Sequence, residues 1–106
     1  MKSPLLLHIG TKKMIKESEV IELKPSLSQV NEIIETISAF SNTTGGRILI
    51  GLSNAGRILG VEVGKNTIEK LTNQIHQNLD PKVHPSFKTQ KIKGKDIIVI
   101  EINESQ

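Results

Sequence analysis

The sequence predicts an α+β domain in which two amphipathic helices cover a mostly antiparallel sheet. Two segments carry apolar residues at helical spacing, while the other apolar segments alternate or run continuously, as strands do. Glycine-containing turns separate the strand patterns, so the predicted order is strand, helix, hairpin, helix, hairpin. A chain of 106 residues has the size of one domain. Such an arrangement forms one hydrophobic core between the two layers.

The first two predicted elements are a short strand and a helix. Residues 20–24 alternate between apolar and charged side chains, which predicts a strand. Ser28 is a suitable N-cap for a helix that runs to about Asn42. The apolar face of this helix is formed by Val30, Ile33, Ile34, Ile37 and Phe40. The glycine pair at residues 45–46 predicts the end of the helix.

A hairpin is predicted next. Residues 47–52 form its first strand, with alternating side chains on the two faces. Residues 53–56 carry a turn signal with Asn and Gly, and residues 57–63 are the predicted return strand.

The last elements are a second helix and a second hairpin. Residues 66–69 have the character of a capping box and start a helix that extends to residue 79. Residues 82–92 predict a strand whose start is interrupted by a proline. Residues 93–95 predict a tight turn, and residues 96–102 predict a buried strand rich in isoleucine.

The chain divides into an N-terminal arm, residues 1–14, and the domain itself, residues 15–106. The apolar side chains of the arm that we expect to dock are Leu5, Leu6, Leu7 and Ile9. This apolar run is interrupted by a histidine, and no small-residue cleavage site follows, so it does not predict a signal peptide. The sequence also predicts no membrane span, because no apolar segment is long enough.

Composition excludes several classes of site. The chain has no cysteine, which excludes disulfides, thiolate zinc sites and cysteine nucleophiles and fits a cytoplasmic location. With no Trp, no Tyr and only 2 Phe, base-stacking platforms of aromatic rings are nearly excluded. The net charge of +3 favours an anionic partner. Residues 82–95 contain 5 lysines and no acid, so the basic charge is concentrated there.

Motifs along the chain resemble the Schlafen AlbA_2 family, also called divergent AAA-4. Residues 17–24 are similar to its E-S-x-x-x-E-[FL]-K signature, and residues 37–46 resemble its A-F-x-N-x-x-G-G helix end. Residues 50–61 resemble its I-G-V-x-x-x-G-x-x-x-G-V hairpin, and the resemblance covers roughly residues 15–103. It implies a DNA- or RNA-associated domain, often at the start of transcriptional regulators. In animal Schlafens, doubled copies form a clamp with ribonuclease activity.

The resemblance also implies a candidate metal and catalytic pair, Glu17 and Glu22. In nucleolytic Schlafens, glutamates at these positions join an aspartate from the hairpin to hold a divalent cation. Here Asn54 stands near the position of that acid, and an amide offers an oxygen ligand but no charge. The alternative for Glu22 is an ion pair with Lys24 or another lysine. The sequence therefore favours a domain that is not an enzyme and holds no cofactor. A ribonuclease that uses Mg²⁺ or Mn²⁺ is the alternative.

The main hypothesis is a module that contacts the phosphates of DNA or RNA with little sequence specificity. Its candidate contact residues are Lys24, Arg47, Asn54, Arg57, Lys88, Lys91, Lys93 and Lys95. Lysines on an edge strand also protect it from aggregation, which is the alternative explanation for the second hairpin. The glycines before Arg47 either cradle a phosphate or end the helix. A further alternative function is assembly as a homodimer. No phosphate-binding loop of the Walker A type is present, so no ATPase activity is predicted.

Overall fold

The computed structural model describes residues 20–80 and 83–104 and confirms the α+β prediction for them. The predicted arm, residues 1–14, lies outside the described residues. The described elements are β1 (Ile21–Lys24), α1 (Val30–Ser41), β2 (Gly46–Ile50), α2 (Thr67–His76), β3 (Ser86–Ile92) and β4 (Lys95–Ile102). None of the described helices is long and apolar enough to cross a membrane.

The four strands form one sheet in the order β1-β2-β4-β3. β1 and β2 are parallel and are joined through α1, because parallel neighbours need a crossover connection. β4 pairs antiparallel with β2 on one side and with β3 on the other. Two of the three pairings are thus antiparallel, as predicted.

Both helices pack on the same face of the sheet, which we call the helix face. Successive side chains of a strand point to opposite faces of the sheet. In β2 and β4, buried residues that point toward the helices therefore alternate with buried residues that point away from them. The core of the helix face consists of Ile33, Ile37, Phe40, Ile48, Ile50, Leu71, Ile75, Ile98, Ile100 and Ile102. A second buried cluster, on the opposite face, consists of Leu23, Leu49, Leu52, Ile92, Ile97 and Val99. We call this opposite side the second face.

The predicted return strand at residues 57–63 is wrong. Leu52 and Ile58 form a single isolated antiparallel bridge, and the chain does not continue as a β-strand after Ile58. The reason is conformational, because Gly51 and Gly60 have φ values of +115° and +80°, which extended strands do not use. Instead the N–H of Gly60 donates to the carbonyl of Gly51, and the N–H of Val61 donates to the carbonyl of Asp96. This segment therefore crosses the end of the sheet toward the start of β4.

The ends of the helices differ from prediction in detail. Gln29, not Ser28, occupies the N-cap position of α1, and the Ser28 hydroxyl is instead hydrogen-bonded to that of Ser26 at 2.8 Å. Asn66 is at the N-cap of α2 but makes no side-chain capping hydrogen bond, so the predicted capping box is absent. The hydroxyl of Thr67 accepts from the N–H of Gly64 at 2.7 Å, which ties the loop before α2 to the first residue of the helix.

Candidate nucleic-acid interface

A polar depression lies where β1 ends and α1 begins. Its volume is about 470 Å³, and its lining residues are Glu22, Leu23, Lys24, Pro25, Gln29, Glu32 and Asn54. β1 places Glu22 and Lys24 on the helix face, while Asn54 comes from the turn after β2. The structure thus brings together three of the residues singled out in the sequence: Glu22, Lys24 and Asn54.

Lys24 is the central charge of this depression. Its Nζ lies 3.5 Å from Oε2 of Glu22 and 3.1 Å from Oε1 of Glu32, and its side chain is only 12% exposed. Burial by itself would lower the pKa of Lys24, but the hydrogen bond to Glu32 and the charges of both glutamates outweigh it. The net result is a pKa raised above the ordinary 10.5. The ammonium group is therefore engaged within the protein.

The same geometry bears on the metal hypothesis. Glu22 and Asn54 share the depression, as a metal site would require, and Glu32 adds a second carboxylate. However, the ammonium of Lys24 lies between the two carboxylates and supplies the positive charge that a cation would bring. Residues 20–80 and 83–104 contain no group of three His, Cys, Asp or Glu side chains that could hold a metal ion. Glu17, the other candidate ligand, lies outside the described residues.

Arg47 is held by an ion pair across two strands. It faces Glu101 in the antiparallel register of β2 and β4, and its Nη2 lies 2.8 Å from Oε2 of Glu101. The neighbouring Gly45 has a φ of +83°, and its N–H donates to the carbonyl of Phe40, which ends α1. A Cβ at Gly45 would lie 2.5 Å from the carbonyl oxygen of Ile102. Helix termination and close packing therefore account for the glycine.

The lysines of the second hairpin separate into three groups. Lys91 is on the helix face and forms an ion pair with Asp96 at 3.0 Å. Lys88 is opposite Val99, which places it on the second face, and it is exposed. Lys93 and Lys95 flank Gly94 at the turn, where Lys93 and Gly94 have φ values of +52° and +80°. Positive φ at both central residues is the feature of a type I′ hairpin turn.

The turn of the second hairpin and the segment after β2 meet at one end of the sheet. A depression of about 360 Å³ between them is lined by Leu59, Gly60, Val61, Glu62, Gly94, Lys95 and Asp96. Arg57 is exposed on the same segment, two residues before Leu59. We call Arg57, Lys93 and Lys95 the basic tip. All three are exposed, and none takes part in an ion pair within the described ranges.

The sequence pattern did not identify Glu32 as part of this region. It lies in the first turn of α1, where an acid is expected for helix stability alone. The signal that could have found it is the position of Lys24 at the end of β1. A short loop to α1 brings the first turn of the helix back over that lysine.

The sequence pattern of the Schlafen AlbA_2 domain matches residues 17–106. The chain belongs to the Schlafen AlbA_2 family. The match includes β1 through β4 and both helices, so it covers every described element of the fold. Family membership supports a domain related to nucleic acid. No curated protein matches the chain.

Two solved structures share the fold of this Schlafen AlbA_2 domain. The crystal structure of the DIP2311 protein from Corynebacterium diphtheriae has a TM-score of 0.74 at 16% identity, covering 94% of this chain and 24% of that one. The second is the NMR structure of an N-terminal domain from Nitrosomonas europaea, from a protein provisionally named an ATP-dependent DNA helicase RecG-related protein. Its TM-score is 0.66 at 22% identity, covering 100% of this chain and 76% of that one. The chain thus spans about a quarter of the DIP2311 chain.

Proposed function

We propose that this domain binds the sugar-phosphate backbone of DNA or RNA through the basic tip. The proposal rests on the difference between the basic side chains that form ion pairs and those that do not. Lys24, Arg47 and Lys91 are held in ion pairs. Arg57, Lys93 and Lys95, by contrast, are each exposed, and the two segments that carry them meet at one end of the sheet. Lys88 is a further exposed lysine, on β3. Exposed cations that are not neutralised by the protein attract phosphates.

The shape of the tip suits contact with a backbone more than reading of bases. A two-residue hairpin turn is narrow and projects from the sheet, so its lysines can reach phosphates on either side of a groove. The described surface offers no Trp or Tyr for base stacking, as the chain has none. The proposal therefore includes low sequence specificity. Within a longer cytoplasmic protein, such a domain would hold a transcriptional regulator on its DNA.

The experiment that tests the proposal is a fluorescence-anisotropy titration with duplex DNA, single-stranded DNA and structured RNA at two salt concentrations. Each phosphate contact to duplex DNA contributes a slope of about −0.9 in log affinity against log salt. Three contacts from the basic tip would therefore weaken binding by roughly 40-fold between 50 and 200 mM salt. Affinity that is flat over this range would contradict the proposal.

Single substitutions locate the contact surface. Lys93→Ala and Lys95→Ala are each expected to weaken binding to all three ligands and to reduce the salt slope by about 1. Lys70→Ala is the matched control, because Lys70 is an exposed lysine on α2 and its loss removes the same charge. If Lys70→Ala weakens binding as much as Lys93→Ala, net charge and not the tip is responsible.

A metal-dependent ribonuclease is the second candidate, favoured by the shared depression of Glu22 and Asn54. Glu22 and Glu17 would bind Mg²⁺ or Mn²⁺, with the amide oxygen of Asn54 as a neutral ligand. This function predicts RNA cleavage that requires the metal and is abolished by Glu22→Gln. Asn54→Asp should increase cleavage, because it adds the third negative charge. Intact RNA with both the original chain and Asn54→Asp in the presence of Mn²⁺ would exclude this function.

A further inference from the structure

Leu59 is an apolar side chain that the fold leaves exposed next to the basic tip. Val20 and Leu59, at 43% and 44% exposure, are the two large apolar residues that are exposed in the described part of the chain. A single exposed leucine is ordinary on a protein surface, so its exposure alone indicates no function. Its position is more informative. Leu59 lines the same depression as Lys95, and it follows Arg57 by two residues.

Hydrogen bonds fix the backbone around Leu59. The N–H groups of Leu59 and Gly60 both donate to the carbonyl of Gly51, at 2.7 and 2.9 Å. The N–H of Val61 donates to the carbonyl of Asp96 at 2.9 Å, which ties the same segment to the start of β4. Gly60 has a φ of +80°, which allows the chain to change direction directly after Leu59. The leucine therefore has a defined place on the surface.

The neighbours of Leu59 along the chain are anchored on both faces of the sheet. Ile58 packs against the second-face cluster, and Val61 packs against the core of the helix face. Between these anchors the chain passes close to the second hairpin, because a Cβ on Gly60 would lie 2.9 Å from the Cβ of Lys95. The neighbours thus supply the apolar packing, and Leu59 is held at the surface beside a cation of the basic tip.

The backbone of a nucleic acid alternates in the same way between charge and apolar surface. The C–H groups of each sugar lie between two successive phosphates, so cations beside an apolar side chain match this alternation. Deoxyribose suits a leucine better than ribose does, because the 2′ carbon of deoxyribose carries only hydrogen. The 2′ hydroxyl of ribose would lose water against a leucine without gaining a hydrogen bond, which costs binding free energy.

We propose that Leu59 packs on the sugar of the bound backbone and makes the domain prefer DNA to RNA. This inference rests on the proposed function, because Arg57 and Lys95 are the cations that hold the flanking phosphates. The contribution of Leu59 is hydrophobic and does not release counterions, whereas the contributions of the cations fall as salt is added. The two kinds of contact are therefore separable by experiment.

The test is an anisotropy titration of Leu59→Ala with DNA and RNA of one sequence, each as a duplex and as a single strand, between 50 and 200 mM salt. Leu59→Ala should weaken DNA binding by about 3- to 10-fold, since less than half of the side chain remains to be buried. The loss should be the same at both ends of the salt range, and it should be clearly smaller with RNA. Lys95→Ala, by contrast, should reduce the salt slope by about 1.

Two control variants separate the contact from general effects. Leu59→Met keeps an apolar side chain of similar volume and should retain the affinity for DNA. Val20→Ala shortens an equally exposed apolar side chain next to Arg47, at the opposite end of the sheet, and should also leave binding unchanged. Urea midpoints close to that of the original chain show that each variant is folded.

The outcomes distinguish this inference from the proposed function. Salt-sensitive binding that Leu59→Ala leaves unchanged would overturn the inference while the proposed function stands. A loss of affinity accompanied by a smaller salt slope would also overturn it, because Leu59 would then act by positioning the cations. Equal losses with DNA and RNA would overturn the preference for DNA, as would a loss of RNA binding alone in Glu62→Gln, since Glu62 lines the depression and could accept from a 2′ hydroxyl. No binding by the original chain would overturn both proposals.

Discussion

Gly45→Ala is expected to destabilise the domain far more than Gly94→Ala, although the two glycines have nearly the same positive φ. Their φ values are +83° and +80°, so an alanine at either position carries a strain of about 1–2 kcal/mol. They differ in their surroundings. A Cβ at Gly45 would meet the carbonyl oxygen of Ile102 at 2.5 Å, whereas a Cβ at Gly94 has nothing within 4 Å.

The extra cost at Gly45 comes from moving backbone, because Ile102 is the last residue of β4 and is buried. Overpacking of this kind costs about 1–3 kcal/mol, which gives a total of about 2–5 kcal/mol for Gly45→Ala. Both variants gain the same small stabilisation through the unfolded chain, so this contribution cancels in the comparison.

Urea unfolding followed by circular dichroism measures the difference. With an m value of about 1.5 kcal/mol per molar, Gly94→Ala should lower the midpoint by about 1 M and Gly45→Ala by about 1.3–3.3 M. The m value should stay constant, since neither change alters the surface exposed on unfolding. Equal midpoints for the two variants would refute the reasoning and would reopen a functional explanation of the glycine pair.

Three further predictions concern charge and packing. Lys24→Met should destabilise the domain by about 0.5–1 kcal/mol at neutral pH. Because the pKa of Lys24 is raised in the folded state, the charge of Lys24 stabilises the fold fully below pH 10.5, and this stabilisation is lost as pH rises through the folded-state pKa. The difference in unfolding free energy between the original chain and Lys24→Met should therefore become smaller at alkaline pH. A double-mutant cycle of Arg47→Ala and Glu101→Ala should give a coupling free energy of about 0.2–1 kcal/mol that decreases as salt is added. A coupling of zero at low salt would show that this ion pair does not stabilise the fold. Ile100→Ala should cost about 2–5 kcal/mol, as Ile100 is fully buried, and a loss below 1 kcal/mol in urea unfolding would be inconsistent with the packing.

Elements defined by local pattern were predictable from the sequence. The helical spacing of apolar residues located α1, and the isoleucine-rich run located β4 within one residue of its observed start. The turn at Lys93 and Gly94 followed from its residue types, since glycine accepts positive φ. In each case the information that fixes the structure lies within a few neighbouring residues.

Features that depend on distant partners were not predictable. The segment after Ile58 alternates like a strand, but two glycines with positive φ and a hydrogen bond to Asp96 draw it away from β2. Likewise the candidate contact residue Arg47 faces Glu101, which comes from the other end of the chain and is set beside it by strand register. The sequence identified the charged residues, but it could not tell which of them the fold neutralises.

The position of β4 in the sheet has a consequence for how the protein is made. β4 is the last of the described strands in chain order, yet it is the strand that β2 and β3 both pair with. During synthesis, β1, α1 and β2 leave the ribosome before β4, so one edge of β2 has unpaired backbone groups. β3 also leaves before β4, which is its pairing partner in the sheet. Such edges are sites of aggregation until they are paired. The domain can therefore close its sheet only after Ile102 has emerged, and slow translation just before this point would prolong the vulnerable state.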